Sequence, residues 1–121
     1  MEKDAKKWLF KAEQDLDTSV YNFKGKRYDA AVFYAHQSAE KGLKSFQIDK
    51  LKRFDKIHNL MKLAESVNAS KDVVGLCEII NPAYFVSRYP DVEEKYDEKE
   101  VADVINAAKG VLKWIKKGLK S

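Results

Sequence analysis

Apolar residues recur at helical spacing along most of the chain, which favours helices over strands. In the first such segment, residues 4–23, five apolar side chains share one face: Trp8, Ala12, Leu16, Val20 and Phe23. A second segment spans residues 28–48, and a third runs from about Glu98 to Leu119. No segment alternates apolar and polar residues as a half-buried strand would. The pattern therefore predicts three long amphipathic helices.

Two shorter helices are predicted between the second and third long ones. Asp55 is a candidate N-cap for the first, whose apolar face comprises Ile57, Leu60, Met61, Ala64 and Val67. Ser70 is a candidate N-cap for the second, which Pro82 should end or kink, since proline cannot continue a helix interior. The charged residues 50–56 are expected to form a loop. Together these elements predict an all-α antiparallel bundle of about five helices, three long and two short.

Composition supports a folded and heavily charged chain. Its 121 residues fit one domain, taken as residues 1–121, with 45% hydrophobic and 35% charged residues and a net charge of +4. The single cysteine, Cys77, allows no disulfide within the chain, and no apolar run approaches the length of a membrane span. We therefore expect a soluble cytoplasmic protein with no membrane partner.

One side of the second helix carries an unusual mixture of side chains. Helical geometry aligns five residues along one edge of its apolar face: Phe33, His36, Gln37, Glu40 and Lys44. They could form a partly buried polar network, in which Glu40 pairs with Lys44 and His36 hydrogen-bonds Glu40 one turn away. They could equally form a binding surface, either a subunit interface or a ligand cleft. Both interpretations remain open at this point.

The sequence gives little indication of a metal-binding site. His36-x-x-x-Glu40 and Asp55-x-x-His58 are the only suggestive pairs, and the chain has two histidines and one cysteine. A di-iron carboxylate bundle would require Glu-x-x-His pairs, which do not occur. We therefore expect no metal and no cofactor.

The segment VSRYPD, residues 86–91, holds the second group of candidate functional residues. The chain has 20 lysines but only three arginines, and one of the three is Arg88. A guanidinium offers a planar fork for carboxylate or phosphate, and the neighbouring Tyr89 offers a ring and a hydroxyl. The alternative is a helix C-terminus in which Arg88 pairs with a nearby acid such as Glu93.

Several short motifs follow one another in a characteristic order: Ala12-Glu13-x-Asp15-Leu16, Tyr28-Asp29-x-Ala31-x-Phe33, His36-Gln37-x-Ala39-Glu40-Lys41-x-Leu43-Lys44, His58-Asn59-Leu60 and Arg88-Tyr89-Pro90. With a tryptophan near the start of the first helix, this layout resembles the HEPN domain, the higher eukaryotes and prokaryotes nucleotide-binding domain. The resemblance covers nearly the whole chain.

The resemblance implies a helical bundle that pairs as a homodimer, with a site for a nucleotide such as ATP or GTP, or for RNA, near Arg88. It also implies a protein partner, because many HEPN proteins are encoded beside a minimal nucleotidyltransferase in toxin–antitoxin-like pairs. The candidate nucleotide-binding or interface residues are His36, Glu40, Lys44, His58, Arg88 and Tyr89. In this interpretation Lys44 and Arg88 would meet phosphate, and Tyr89 or Phe33 would stack on a base.

Many HEPN proteins are metal-independent ribonucleases with an Arg-x4–6-His motif. No histidine follows Arg88 at that spacing, so only His36 or His58, from other helices, could take its place. The sequence therefore favours a non-catalytic nucleotide-binding and protein-interaction module. The alternatives are a ribonuclease toxin with a displaced histidine and a purely structural homodimer.

Overall fold

The computed structural model describes residues 1–90 and 95–119, which contain helices and no strands. Its elements are α1 (Lys3–Lys24), α2 (Tyr28–Leu51), α3 (Leu60–Ser66), α4 (Lys71–Ile80), α5 (Ala83–Val86) and α6 (Glu98–Leu119). The three long and two shorter helices that the sequence predicts are confirmed, and α5 is a single extra turn after Pro82. None of the described helices is long and apolar enough to cross a bilayer.

The segment between α2 and α3 differs from its prediction. Helix α2 extends to Leu51, three residues beyond the predicted end, and α3 starts only at Leu60. The N-cap of α3 is Asn59 rather than Asp55, because the Asn59 side chain accepts hydrogen bonds from the amides of Met61 and Lys62 at 3.0 and 3.2 Å. The predicted cap of α4, by contrast, is confirmed: the Ser70 side chain accepts from the amide of Val73.

Helices α1 and α2 form an antiparallel hairpin around the short turn 25–27. Two buried hydroxyls join them: Ser38 Oγ donates to the carbonyl of Ala12 at 2.7 Å, and Ser19 Oγ donates to the carbonyl of Ala31 at 2.6 Å. Small side chains on both helices let the backbones approach this closely. The flank of α2 that carries Ala31 and Ser38 therefore faces α1.

Helix α6 also packs closely against α2, at Gly42. A Cβ placed on Gly42 would lie 2.5 Å from Leu112 Cδ2 and 2.9 Å from Ile115 Cδ1, so any larger residue would force these two side chains to shift. The ring of Phe46 stacks on Trp114 one turn further along, with 4.9 Å between centroids. The close helix approach that Ala35, Ala39 and Gly42 predict is thus confirmed.

Gln47 fixes the loop between α2 and α3. Its side chain is fully buried and donates from Nε2 to Asp55 Oδ2 at 3.0 Å and to Ser66 Oγ at 2.8 Å. Its Oε1 accepts from the amide of Asp55 at 3.0 Å. This one amide joins α2, the loop and α3, and so sets the position of His58, which ends the loop.

Candidate functional site

A buried carboxylate, Glu40, lies at the centre of the site. Its residue is 5% exposed, and Lys44, one turn further along α2, donates from Nζ to Glu40 Oε2 at 2.8 Å. The imidazole of His58 approaches from the loop, with Nδ1 lying 3.0 and 3.2 Å from the two carboxylate oxygens. A buried charge requires such partners, since burial without them would cost several kcal/mol.

The charge state of Glu40 follows from these contacts. Burial by itself would raise the pKa of the carboxyl group, but the hydrogen bonds from Lys44 and His58 outweigh burial and hold the pKa below its usual range. Glu40 is therefore ionised at neutral pH. It neutralises the Lys44 ammonium, which is itself only 5% exposed, and it orients the His58 ring.

His36 lies beside this pair without joining it. It is 1% exposed, and its Nδ1 is 3.7 Å from Glu40 Oε1, too far for the predicted hydrogen bond, because His58 occupies that place. Its Nε2 is buried with no hydrogen-bond partner among the described residues. Burial lowers the pKa of His36 to about 4, with the Glu40 charge opposing the effect, so the ring is neutral at neutral pH.

The ring of Tyr84 connects these residues to Arg88. His58 stacks on it with 4.7 Å between centroids and an interplanar angle of 17°, and His36 lies 5.4 Å away. The Arg88 guanidinium sits over the same ring, with Cζ 4.4 Å from the centroid. Tyr84 and Arg88 stand one turn apart at the end of α5. Sequence reasoning missed Tyr84, although this i, i+4 spacing after Pro82 was the signal that could have found it.

Two aromatic rings contact the guanidinium of Arg88. Its guanidinium also lies 5.1 Å from the centroid of Phe33, and within residues 1–90 and 95–119 it forms no ion pair. Glu93, the acid considered as its partner, lies outside the described residues, as do Asp91 and the rest of the acidic stretch 91–94. Aromatic contacts fix the plane of a guanidinium while leaving its N–H edges able to bind carboxylate or phosphate.

Tyr89 lies apart from this arrangement. It is 47% exposed, and its nearest ring is Phe85, 6.2 Å away. The structure thus gathers five of the six predicted site residues and leaves Tyr89 beside them. We call the gathered group the Glu40 cluster; its members are Phe33, His36, Glu40, Lys44, His58, Tyr84 and Arg88.

Of the two interpretations of the mixed edge of α2, burial of His36, Glu40 and Lys44 supports the partly buried polar network, and the binding surface stays a prediction. Glu40 and Lys44 form a buried ion pair that His58 joins through Nδ1, and His36 is buried beside them without a hydrogen bond to Glu40. Because Lys44 is 5% exposed and bound to Glu40, its ammonium is poorly placed to meet a ligand phosphate. The polar groups that remain accessible are the exposed Arg88 guanidinium and the His58 side chain, which is 48% exposed. Within the described part of the chain, no three metal-ligating side chains converge.

Comparisons with known proteins agree with this architecture. The family model described as "HEPN domain" matches residues 5–119. The crystal structure of an archaeal HEPN homologue superposes with a TM-score of 0.83 at 28% identity, covering 98% of this chain and 99% of that one. A Thermus thermophilus protein, 23% identical, shares the fold with a TM-score of 0.87, covering 96% and 98% of the two chains. No curated protein matches significantly. With the family model spanning nearly all of its length, this chain belongs to the HEPN domain family.

Proposed function

We propose that this HEPN domain is a non-catalytic module that binds a nucleotide through Arg88 and docks a protein partner at the same end of the bundle. The observation that carries the proposal is the state of Arg88. Its guanidinium is stacked between Tyr84 and Phe33 at 4.4 and 5.1 Å, and it has no ion pair within the described residues. An exposed guanidinium that aromatic rings orient is a receptor for phosphate or carboxylate.

The neighbouring residues support a nucleotide as the ligand. His58, which Glu40 holds through Nδ1, leaves its Nε2 to interact with a phosphate oxygen near Arg88. Phe33 has Arg88 on its face, so the ring best placed to stack on a base is Phe85, which is 56% exposed. Aromatic stacking of this kind contributes about 1–3 kcal/mol per base.

Exposed apolar side chains support the proposed protein partner. Ile79, Phe85 and Tyr89 are 48%, 56% and 47% exposed, and all lie on α4, α5 or the residues that follow. Groups of exposed apolar residues of this kind are typical of interfaces. The family context suggests a second copy of this chain, giving a homodimer, and a minimal nucleotidyltransferase of a toxin–antitoxin-like pair as the partner.

Calorimetric titration of ATP and GTP tests the nucleotide site. We expect saturable binding that Arg88→Ala weakens by about tenfold or more, equivalent to about 1.4 kcal/mol. Arg88→Lys should recover only part of the loss, because lysine keeps the charge but not the fork. The matched control is Arg27→Ala, which removes another exposed arginine; Arg27 is the N-cap residue of α2, but its side chain makes no capping hydrogen bond. Unchanged affinity in Arg88→Ala would contradict the proposal.

One observation favours a second candidate function, a metal-independent ribonuclease. His58 has a buried carboxylate on Nδ1 and shares the Tyr84 ring with Arg88, so its Nε2 could act as general acid or base near a phosphate. His36 cannot take this role, because it is 1% exposed. This function predicts RNA cleavage in the presence of a chelator that is lost in His58→Ala. Absence of cleavage by the unaltered protein would exclude it.

A further inference from the structure

A second surface groove lies outside the Glu40 cluster, between the start of α1 and the loop that follows α2. Its volume is about 530 Å³, which falls within the range of small-molecule sites. Its floor is aromatic: the rings of Trp8 and Phe54 lie 4.8 Å apart at 49°, with Ile48 beside them. Phe54 is 37% exposed, so an apolar ring in a charged loop stays open to a flat ligand.

The loop side of the groove is cationic. Lys52, Arg53 and Lys56 line it, and of these Arg53 pairs with Asp55. The Lys52 ammonium donates to the carbonyl of Asp49, a neutral acceptor, and its charge helps to lower the pKa of the Glu2 carboxyl group across the groove without an ion-pair contact to it in the described residues. No ion pair with Lys56 is found in the described part of the chain. This side offers two accessible ammonium groups to an anion.

The α1 side of the groove is acidic. Glu2 and Asp4 line it, and the Glu2 carboxylate accepts from the amides of Asp4 and Ala5 at 2.9 and 3.1 Å as the N-cap of α1. Asp4 is exposed and lines the groove as well, and its carboxylate has no capping role. The groove is thus polarised, with hydrogen-bond acceptors on one side, ammonium groups on the other, and two rings between them.

We propose that this groove is a second ligand site, which binds a nucleoside phosphate whose base carries an exocyclic amino group. The base lies against the Trp8 and Phe54 rings, its amino group donates to the Asp4 carboxylate, and the phosphate meets Lys52 and Lys56. Carboxylates accept from the amino group of cytosine, whereas uracil presents a carbonyl at the same position and would be repelled. The site therefore discriminates between the two pyrimidines.

The groove touches the Glu40 cluster at one point, since the Lys44 ammonium lies 5.9 Å from the centroid of Phe54. The test must therefore separate the two sites. Trp8 lies in the groove, and Trp114 lies elsewhere, stacked on Phe46. In a protein carrying Trp114→Phe and Arg88→Ala, Trp8 is the only tryptophan and the Arg88 site is disabled.

Trp8 fluorescence of this double variant is excited at the red edge of the indole band. Titration with cytidine 5′-monophosphate should quench this fluorescence saturably. Uridine 5′-monophosphate should bind about tenfold more weakly, and Asp4→Ala should remove the difference. Adding Lys52→Gln and Lys56→Gln should weaken cytidine monophosphate about tenfold. The matched control, Lys62→Gln with Lys71→Gln, makes the same charge change at exposed positions outside the groove. A short oligocytidylate, titrated in parallel, shows whether the free nucleotide or the end of an RNA strand is the better ligand.

No saturable quenching by either cytidine probe up to about 10 mM would overturn the groove proposal. Equal binding of the cytidine and uridine nucleotides, or an unchanged response after loss of Lys52 and Lys56, would overturn it as well. None of these results affects the Arg88 site, because Arg88 is already replaced in this variant. The titration of Arg88→Ala against Arg27→Ala tests that site, and repeating it with Lys52→Gln and Lys56→Gln removes the contribution of the groove. Failure of the two proposals can therefore be told apart.

Discussion

At the scale of single residues, the site depends on one buried carboxylate, that of Glu40. Glu40 neutralises Lys44 and holds His58, and these contacts explain why two ionic groups tolerate 5% exposure. The sequence predicted the Glu40–Lys44 pair from its i, i+4 spacing. It could not predict that His58 rather than His36 would bind the carboxylate, because that contact joins residues 18 positions apart across a loop.

We predict that Glu40→Gln destabilises the fold by about 3 kcal/mol, because the substitution leaves the Lys44 ammonium buried without a counter-charge. Denaturant unfolding measures the effect. The control is Glu65→Gln on the exposed face of α3, which should change the unfolding free energy by less than about 0.5 kcal/mol. An equal effect of the two substitutions would show that the carboxylate is not required.

His36 gives a pH dependence with a defined sign. Its pKa falls from 6.5 to about 4 on folding, so between these values the unfolded chain binds more protons than the folded one. Stability contributed by the neutral ring is therefore present above pH 6.5 and is lost as the pH falls toward 4. We predict that the wild type loses roughly 3 kcal/mol more than His36→Leu across this window, measured by unfolding at each pH. Parallel stability curves for the two proteins would refute this role of His36.

At the scale of helices, the close packing of α2 could be predicted from the sequence, whereas the bounds of the loop that follows α2 could not. Ala35, Ala39 and Gly42 predicted a close helix approach, and α1 and α6 both make it. The prediction for the loop before α3 was wrong because Asn59, not Asp55, is the N-cap of that helix. Asp55 instead binds the side chain of Gln47. A tertiary hydrogen bond thus overrode a local capping signal.

Two glycines provide a matched test of this packing. In Gly42→Ala the new methyl group would meet Leu112 and Ile115 at 2.5 and 2.9 Å, so we expect a loss of about 1–3 kcal/mol. In Gly75→Ala nothing lies within 4 Å, and the better helix propensity should stabilise α4 by about 0.5–1 kcal/mol. Thermal or denaturant unfolding measures both variants. A stabilising Gly42→Ala would contradict the described contact between α2 and α6.

At the scale of the whole molecule, the bundle assembles a site from three separate parts of the sequence. Helix α2 supplies Glu40, the loop supplies His58, and the end of α5 supplies Tyr84 and Arg88. The motif order named the segments that the structure brings together, but it did not predict that Tyr84 rather than Tyr89 would join the cluster. Residues adjacent in a helical turn point in different directions, and only the packed structure shows which one faces α2. The net charge of +4 agrees with an anionic ligand at this surface.

A titration of ATP into the isotopically labelled protein tests the proposed nucleotide site at Arg88 most directly. The Arg88 Nε–H and His58 ring signals are followed by NMR. We predict saturable shifts of both signals, smaller shifts at Tyr84 and Phe85, and no shift at the exposed Arg27 guanidinium. Unchanged Arg88 and His58 signals at saturating ATP, or shifts confined to residues of α6 near Lys109 and Lys113, would contradict a nucleotide site at Arg88.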